Sequence, residues 1–193
     1  MANPGKSSKA LSGEPEKEAK DKLNNLIKDA SSGSDSAFEL LWRHFYPKML
    51  RYLKMFTREA EDICAEVWIK IAGAIKGFVG DAGAFQGWIF TIARNAATDA
   101  ARKEKRIGQT VEIQETDWVS NDSSMVEVTD LLKHLPHEQS EVIMLRIVVG
   151  LDVEQVAEIT GLTPANVRVI SHRGLGKLNE ILTKSGYKRG GER

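Results

Sequence analysis

The chain has 193 residues, 41% hydrophobic and 28% charged, and its 27 basic and 27 acidic side chains cancel. That composition excludes a disordered chain and leaves room for one domain or two small ones. No apolar run approaches the roughly 18 residues of a membrane span, and the opening MANPGKSSKALSGEPEKEAKDK has no apolar core flanked by cations, so neither membrane insertion nor a secretory leader is expected. The single cysteine, Cys64, excludes an intramolecular disulfide and fits a reducing cytoplasm.

Residues 1–22, rich in Ser, Gly, Pro, Lys and Glu, read as a mobile tail. In SDSAFELLWRHF, Ser36 and Glu39 have capping-box spacing, and Phe38, Leu41, Trp42 and Phe45 follow at helical spacing. Pro47 supplies no amide donor and is expected to break or kink this helix before KMLRYLKMF resumes it. Residues 59–75 form a further helix, with Ile63, Val67, Trp68, Ile71 and Ile75 on one stripe. Four glycines within KGFVGDAGAFQG predict a loop rather than a helix. The next stretch, WIFTIARNAATDAARKEKR, is apolar and small at one end and carries four cations in its last five residues. Ile89, Ile92, Ala93, Ala96, Ala97 and Ala100 make a stripe that can pack close to a neighbour. Arg94, Asn95, Thr98, Asp99, Arg102 and Lys103 lie around the opposite side. No segment alternates as a half-buried strand does, so the chain is expected to be all-α.

Residues 107–127 hold five anions and no cation and read as a flexible acidic linker. After a helical lead-in at 128–134, LPHEQSEVIMLRIVVG reads as a helix with Pro136 in its first turn and Gly150 as its stop. Asp152 and Gln155 form a capping box for a short helix, TGLT makes a tight turn, and Thr163 caps a second helix with Pro164 at its first position. Two helices joined by a short Gly-containing turn make a helix-turn-helix. On a wheel, Val167, Ile170, Gly174, Leu178 and Ile181 face the core. Ala165, Val169, His172, Arg173 and Gly176 face outward, flanked by Asn166, Arg168 and Lys177. Such a face suits reading base edges while flanking cations hold phosphates. The boundaries that follow are a tail at 1–22, a first helical domain at 23–106, the linker at 107–127, a helix-turn-helix domain at 128–185 and a basic tail at 186–193.

No Gly-Lys-Ser/Thr phosphate loop, metal-spaced His/Cys set or nucleophile–base pair stands in the sequence, so no enzyme, cofactor, metal or small-molecule substrate is expected. His134 and His137 lie three residues apart but make a poor metal pair alone.

Three stretches, EDICAEVWIKI, GAFQGWIFTIARNAATDAARKEKR and LPHEQSEVIMLRIVVGLDVEQVAEITGLTPANVRVISHRGLGKL, occur in an order and spacing that resemble the extracytoplasmic-function (ECF) sigma factors of bacterial RNA polymerase. The resemblance covers residues 35–182. It implies a subunit that binds core RNA polymerase, recognises the −10 and −35 promoter elements, opens the duplex and begins transcription. By that resemblance Asp62, Glu66 and Lys70 dock the polymerase clamp. Arg94, Asn95, Asp99, Arg102, Lys103, Lys105 and Arg106 meet the −10 element, with Phe85 and Trp88 bordering a pocket for an unpaired base. Thr163, Asn166, Arg168, Val169, His172, Arg173 and Lys177 meet the −35 element, the acidic linker threads the RNA exit channel, and an anti-sigma factor is a further expected partner. The chain departs from the family pattern at Ala65, at Arg168-Val169-Ile170, and at Gly174 and Gly176, where the far end of the recognition helix is expected to fray. The rival reading is a stand-alone helix-turn-helix regulator that binds duplex DNA and never opens it.

Overall fold

The computed structural model describes residues 13–106 and 130–184. Among them every regular element is helical, and no helix is long and apolar enough to cross a membrane. The expected linker, the first twelve residues and the basic C-terminal tail lie outside the described residues.

Helix α1 (Gly13–Ser31) replaces much of the expected tail. Its sequence is polar, but Ile27 and Ala30 are buried, Leu23 and Leu26 pack on the same core, and Lys22 pairs with Glu18 at 2.7 Å one turn away. Tertiary packing of one narrow apolar edge carries a helix that composition alone argues against. Gly33, at φ +99°, turns the chain into α2 (Asp35–Lys54). The cap of α2 is Ser34, whose hydroxyl accepts the Ala37 amide at 3.3 Å, and Ser36 is already inside the helix. Glu39 therefore pairs with Arg43 at 2.7 Å instead of reaching back to a cap. The expected break at Pro47 does not occur. Pro47 lies on the exposed face, while Phe45, Met49, Tyr52 and Leu53 are buried on both sides of it, and that burial holds the helix continuous.

Helix α3 (Ala60–Ala74) buries Ile63, Cys64, Val67, Trp68 and Ile71, and a 3₁₀ turn at Ile75–Gly77 ends it. Burial pushes the Cys64 thiol up to about 12, so it stays an inert core group. The predicted glycine-rich loop is shorter than expected, because α4 (Ala82–Arg106) already contains Gly83 and Gly87. Its first turn is capped from two sides: Asp81 accepts the Ala84 amide at 2.9 Å, and Asn24 of α1 accepts the Ala82 amide at 2.7 Å. Satisfying these free amides offsets the cost of glycine in the helix.

A helical turn at residues 130–133 leads to α5 (His137–Ile143), capped at Pro136, whose backbone is extended rather than helical. The chain then widens into a π-helical segment, Met144–Val149, stopped by Gly150 at φ +91°. Helix α6 (Val153–Thr160) has the expected capping box: Asp152 accepts the Gln155 amide at 2.8 Å, and Gln155 accepts the Asp152 amide at 3.0 Å. Gly161, at φ +75°, turns into α7 (Pro164–Lys184), where Thr163 accepts the Asn166 amide at 3.2 Å.

The expected fraying of α7 at its glycines is corrected, since the helix runs through both to Lys184. Gly174 is buried, and a Cβ there would stand 3.0 Å from Ile143 Cγ1, so its glycine lets α7 approach α5. Gly176 faces open space. Gly174→Val is therefore expected to destabilise the chain by about 1–3 kcal/mol through overpacking. Gly176→Ala should stabilise it by about 0.5–1 kcal/mol through helix propensity. Urea unfolding of the two variants followed by circular dichroism checks the opposite signs.

Candidate functional site

Helix α7 presents its outer face as the wheel requires. Val167 is fully buried, whereas Asn166, Arg168, Val169, His172, Arg173 and Lys177 are all exposed, with Thr163 at the helix start. Arg168 reaches back to Glu154 of α6 at 2.9 Å. Both partners are well exposed, so this ion pair is weak and exchangeable.

On α4, Ile89, Ala93 and Ala97 are buried and Ile92, Ala96 and Ala100 half-buried, which seats the helix closely against α2 and α3. Asn95, Asp99, Arg102 and Lys103 are exposed on the other side, and Arg102 lies 3.6 Å from Asp99. The side chains of Lys105 and Arg106 lie outside the described ones. One expectation fails here. Phe85 is not at the edge of an open loop: it is fully buried, with its ring against Phe45, Phe78 and Trp88 at centroid distances of 5.7, 5.2 and 5.7 Å. A ring without a free face cannot stack on an unpaired base. Starting α4 at Ala82 turns Phe85 inward on the first helical turn. The aromatic surface that remains is Trp88 against Phe78, at 5.2 Å and both half-buried, beside the exposed Val79.

Arg94 is drawn off the outer face. Its Nε donates to Glu141 Oε1 at 2.8 Å, and the Tyr52 hydroxyl donates to the same oxygen at 2.9 Å. Glu141 is only 5% exposed. Burial and then the Glu141 charge hold the Tyr52 phenol well above its ordinary value. Burial alone would lower the Arg94 pKa, but the Glu141 hydrogen bond and charge outweigh it and raise it. Alongside, Gln155 of α6 donates to the Gly83 carbonyl at 2.7 Å, and Gln86 donates to the Val149 carbonyl at the end of the π segment.

Asp62, Glu66 and Lys70 share an exposed face of α3 with Ala65 and Ile69, the latter 73% exposed.

The Sigma-70 region 2 family model matches residues 41–107, and the Sigma-70 region 4 model matches residues 125–178. The chain belongs to the ECF sigma factors. It is 26% identical over 182 residues to the ECF RNA polymerase sigma factor ShbA of Streptomyces griseus, covering 82% of this chain and 94% of that one. It is 28% identical over 160 residues to the RNA polymerase sigma factor CarQ of Myxococcus xanthus, covering 78% and 91%. Two solved structures share the fold at a TM-score of 0.58. One is CnrH in complex with the cytosolic domain of CnrY, at 22% identity over 83% of this chain and 97% of that one. The other is the sigma factor RpoE in complex with the anti-sigma factor NepR from Bartonella quintana, at 23% over 76% and 96%. The chain is thus an alternative sigma factor for transcription initiation.

In this sigma factor the two matched regions meet through Glu141, Tyr52, Gln86 and Gln155, none of which stood among the sequence candidates for a site. Gln155 had a visible signal only for its capping role. Because Phe85 is core, Phe85→Ala is expected to cost about 3–5 kcal/mol. Thermal unfolding followed by circular dichroism checks this, and Trp88→Ala, at a half-buried position, should cost less.

Proposed function

We propose that this sigma factor docks the clamp of core RNA polymerase through α3 and contacts promoter DNA through α4 and α7, in a bacterial cytoplasm and without catalysis of its own. The observation that carries the reading is the outer face of α3. Asp62, Glu66 and Lys70 line one side of the exposed Ile69, and an exposed aliphatic flanked by charges is the anatomy of a protein-binding centre. A stand-alone regulator has no use for it. Asn95, Asp99, Arg102, Lys103, Lys105 and Arg106 of α4 are assigned to the −10 element, together with Trp88, and Arg94 joins them once released from Glu141. Arg173 and His172 are assigned to base edges of the −35 element, with Thr163, Asn166, Arg168, Val169 and Lys177 around them. The solved relatives described with CnrY and NepR support an anti-sigma factor as a further partner of this chain.

Asp62→Lys with Glu66→Lys is expected to reduce capture of core polymerase at least about tenfold, the effect of like-charge juxtaposition across an interface. Both positions are exposed, so helical content should not change. Normal capture in a pull-down would return that face to plain solvation. On α7, Arg173→Ala should lose about 1–3 kcal/mol on matched −35 duplex and much less on scrambled duplex. Lys177→Ala should weaken both alike and flatten the salt dependence. Fluorescence anisotropy across a salt series separates the two.

A further inference from the structure

The start of α4 is weak by sequence and closely held by its neighbours. Gly83 and Gly87 lower helix propensity across the first two turns, and the first amides of any helix lack a partner within it. Two side chains satisfy them from different sides. Asp81 accepts the Ala84 amide through Oδ1 at 2.9 Å, and its Oδ2 lies 3.2 Å from the Lys20 ammonium of α1. The Ala84 amide, and then Lys20, hold the Asp81 carboxyl below its ordinary value, so the cap stays charged. Asn24 accepts the Ala82 amide at 2.7 Å. Lys20 and Asn24 stand one helical turn apart, so both ties come from one face of α1.

The turn that enters α4 is packed as tightly. A Cβ on Gly80 would stand 2.9 Å from both Ala84 Cβ and Phe78 Cζ, so the Phe78 ring lies against bare backbone. That ring meets Trp88 at 5.2 Å, and Val79 beside it is 94% exposed. Phe78 precedes the capped stretch and Trp88 follows it. Their shared surface is therefore only as well fixed as the first turn of α4.

We propose that Asn24, with Lys20 beside it, is a positioning residue for promoter opening: α1 fixes the start of α4 and so holds the Phe78–Trp88 surface ready for an unpaired base. This rests on the promoter reading above, which assigns Trp88 to the −10 element, and brings to that site two residues from a helix with no DNA-facing role. An extruded base is held by stacking on an aromatic face. A face that must first be ordered gives up part of that contact to ordering, whereas a preorganised one keeps it. Asn24 is half-buried and acts through the Ala82 amide.

The test uses holoenzyme assembled from core RNA polymerase and the full chain, on a duplex promoter that the wild-type holoenzyme selects from a randomised pool. The same promoter with a mismatched −10 segment serves as the pre-melted template. Permanganate reactivity of unpaired thymines reads opening of the duplex, and abortive transcripts read both templates. Hydrogen exchange of residues 82–88 reads the start of α4. Asn24→Ala removes the acceptor. Asn24→Asp keeps an acceptor oxygen and adds a charge that a helix N-terminus favours. Lys20→Glu breaks the exposed tie to Asp81, and Asn25→Ala, at an exposed neighbouring position, is the control.

Asn24→Ala is expected to lower opening of the duplex about fivefold, the shift that loss of one helix cap gives a local equilibrium, and to speed exchange at residues 82–88. Lys20→Glu should lower opening about twofold, the scale of an exposed ion pair. Both deficits should shrink on the pre-melted template, and Asn24→Asp and Asn25→Ala should match wild type on both. Equal deficits on the two templates overturn the proposal, because general loss of folded protein or of polymerase binding lowers both alike. So does wild-type opening by Asn24→Ala, or a deficit that Asn24→Asp fails to restore. If Asn24→Ala loses its helical signal, Lys20→Glu carries the test, and wild-type opening by that variant overturns the positioning role. Failure of the wild-type holoenzyme to select any promoter would overturn the promoter reading instead, and it shows in the wild-type arm alone.

Discussion

The carboxylate of Glu141 sets the relation between the two halves of the molecule. A charge this deeply withdrawn from water is tolerated only with full compensation. Its partners, Arg94 and Tyr52, come from helices more than 40 residues away in the chain. A buried ion pair of this kind adds little net stability over an apolar contact of the same shape, but loss of one partner costs about 3–5 kcal/mol. Its contribution is therefore geometric. The α5 helix sits in one register against α2 and α4, and the π-helical segment that follows brings Val149 within reach of Gln86. The edge-to-face contact of Phe56 with His137, at 4.8 Å, lies on the same seam.

Much of the fold was legible because it rests on short-range chemistry. The box at Asp152 and Gln155, the stop at Gly150 and the cap at Thr163 are local hydrogen-bond problems with few solutions, and each is solved as the residues suggest. The stripe of Ile63, Val67, Trp68, Ile71 and Ile75 is buried as its spacing requires. What could not be read locally was decided by packing. Glycine at positions 83 and 87 argued for a loop, yet Asn24 and Asp81 cap a helix there. Pro47 argued for a break, yet buried neighbours on both sides span it.

The candidate site divides along the same line. Faces defined by one helix, such as the outer side of α7 or of α3, follow from the wheel alone. Positions whose role depends on a second element do not. Phe85 lay inside a glycine-rich run, and nothing in that run revealed that its ring closes on Phe78 of the same run and on Phe45 of α2. Arg94 belonged to a polar face by angle, but its partner stands 47 positions later, and no local pattern connects them.

The amide of Ala82 has one further consequence. Its acceptor, Asn24, belongs to a helix that ends at Ser31, ten residues before the first position of the region 2 match. The homology boundary and the physical boundary of the first domain thus differ. A fragment trimmed to residue 41 would strip away the acceptor for α4 and bare the side of the core that Ile27 and Ala30 cover. Expression of the first domain by itself should begin upstream of α1, so that α4 keeps its foundation.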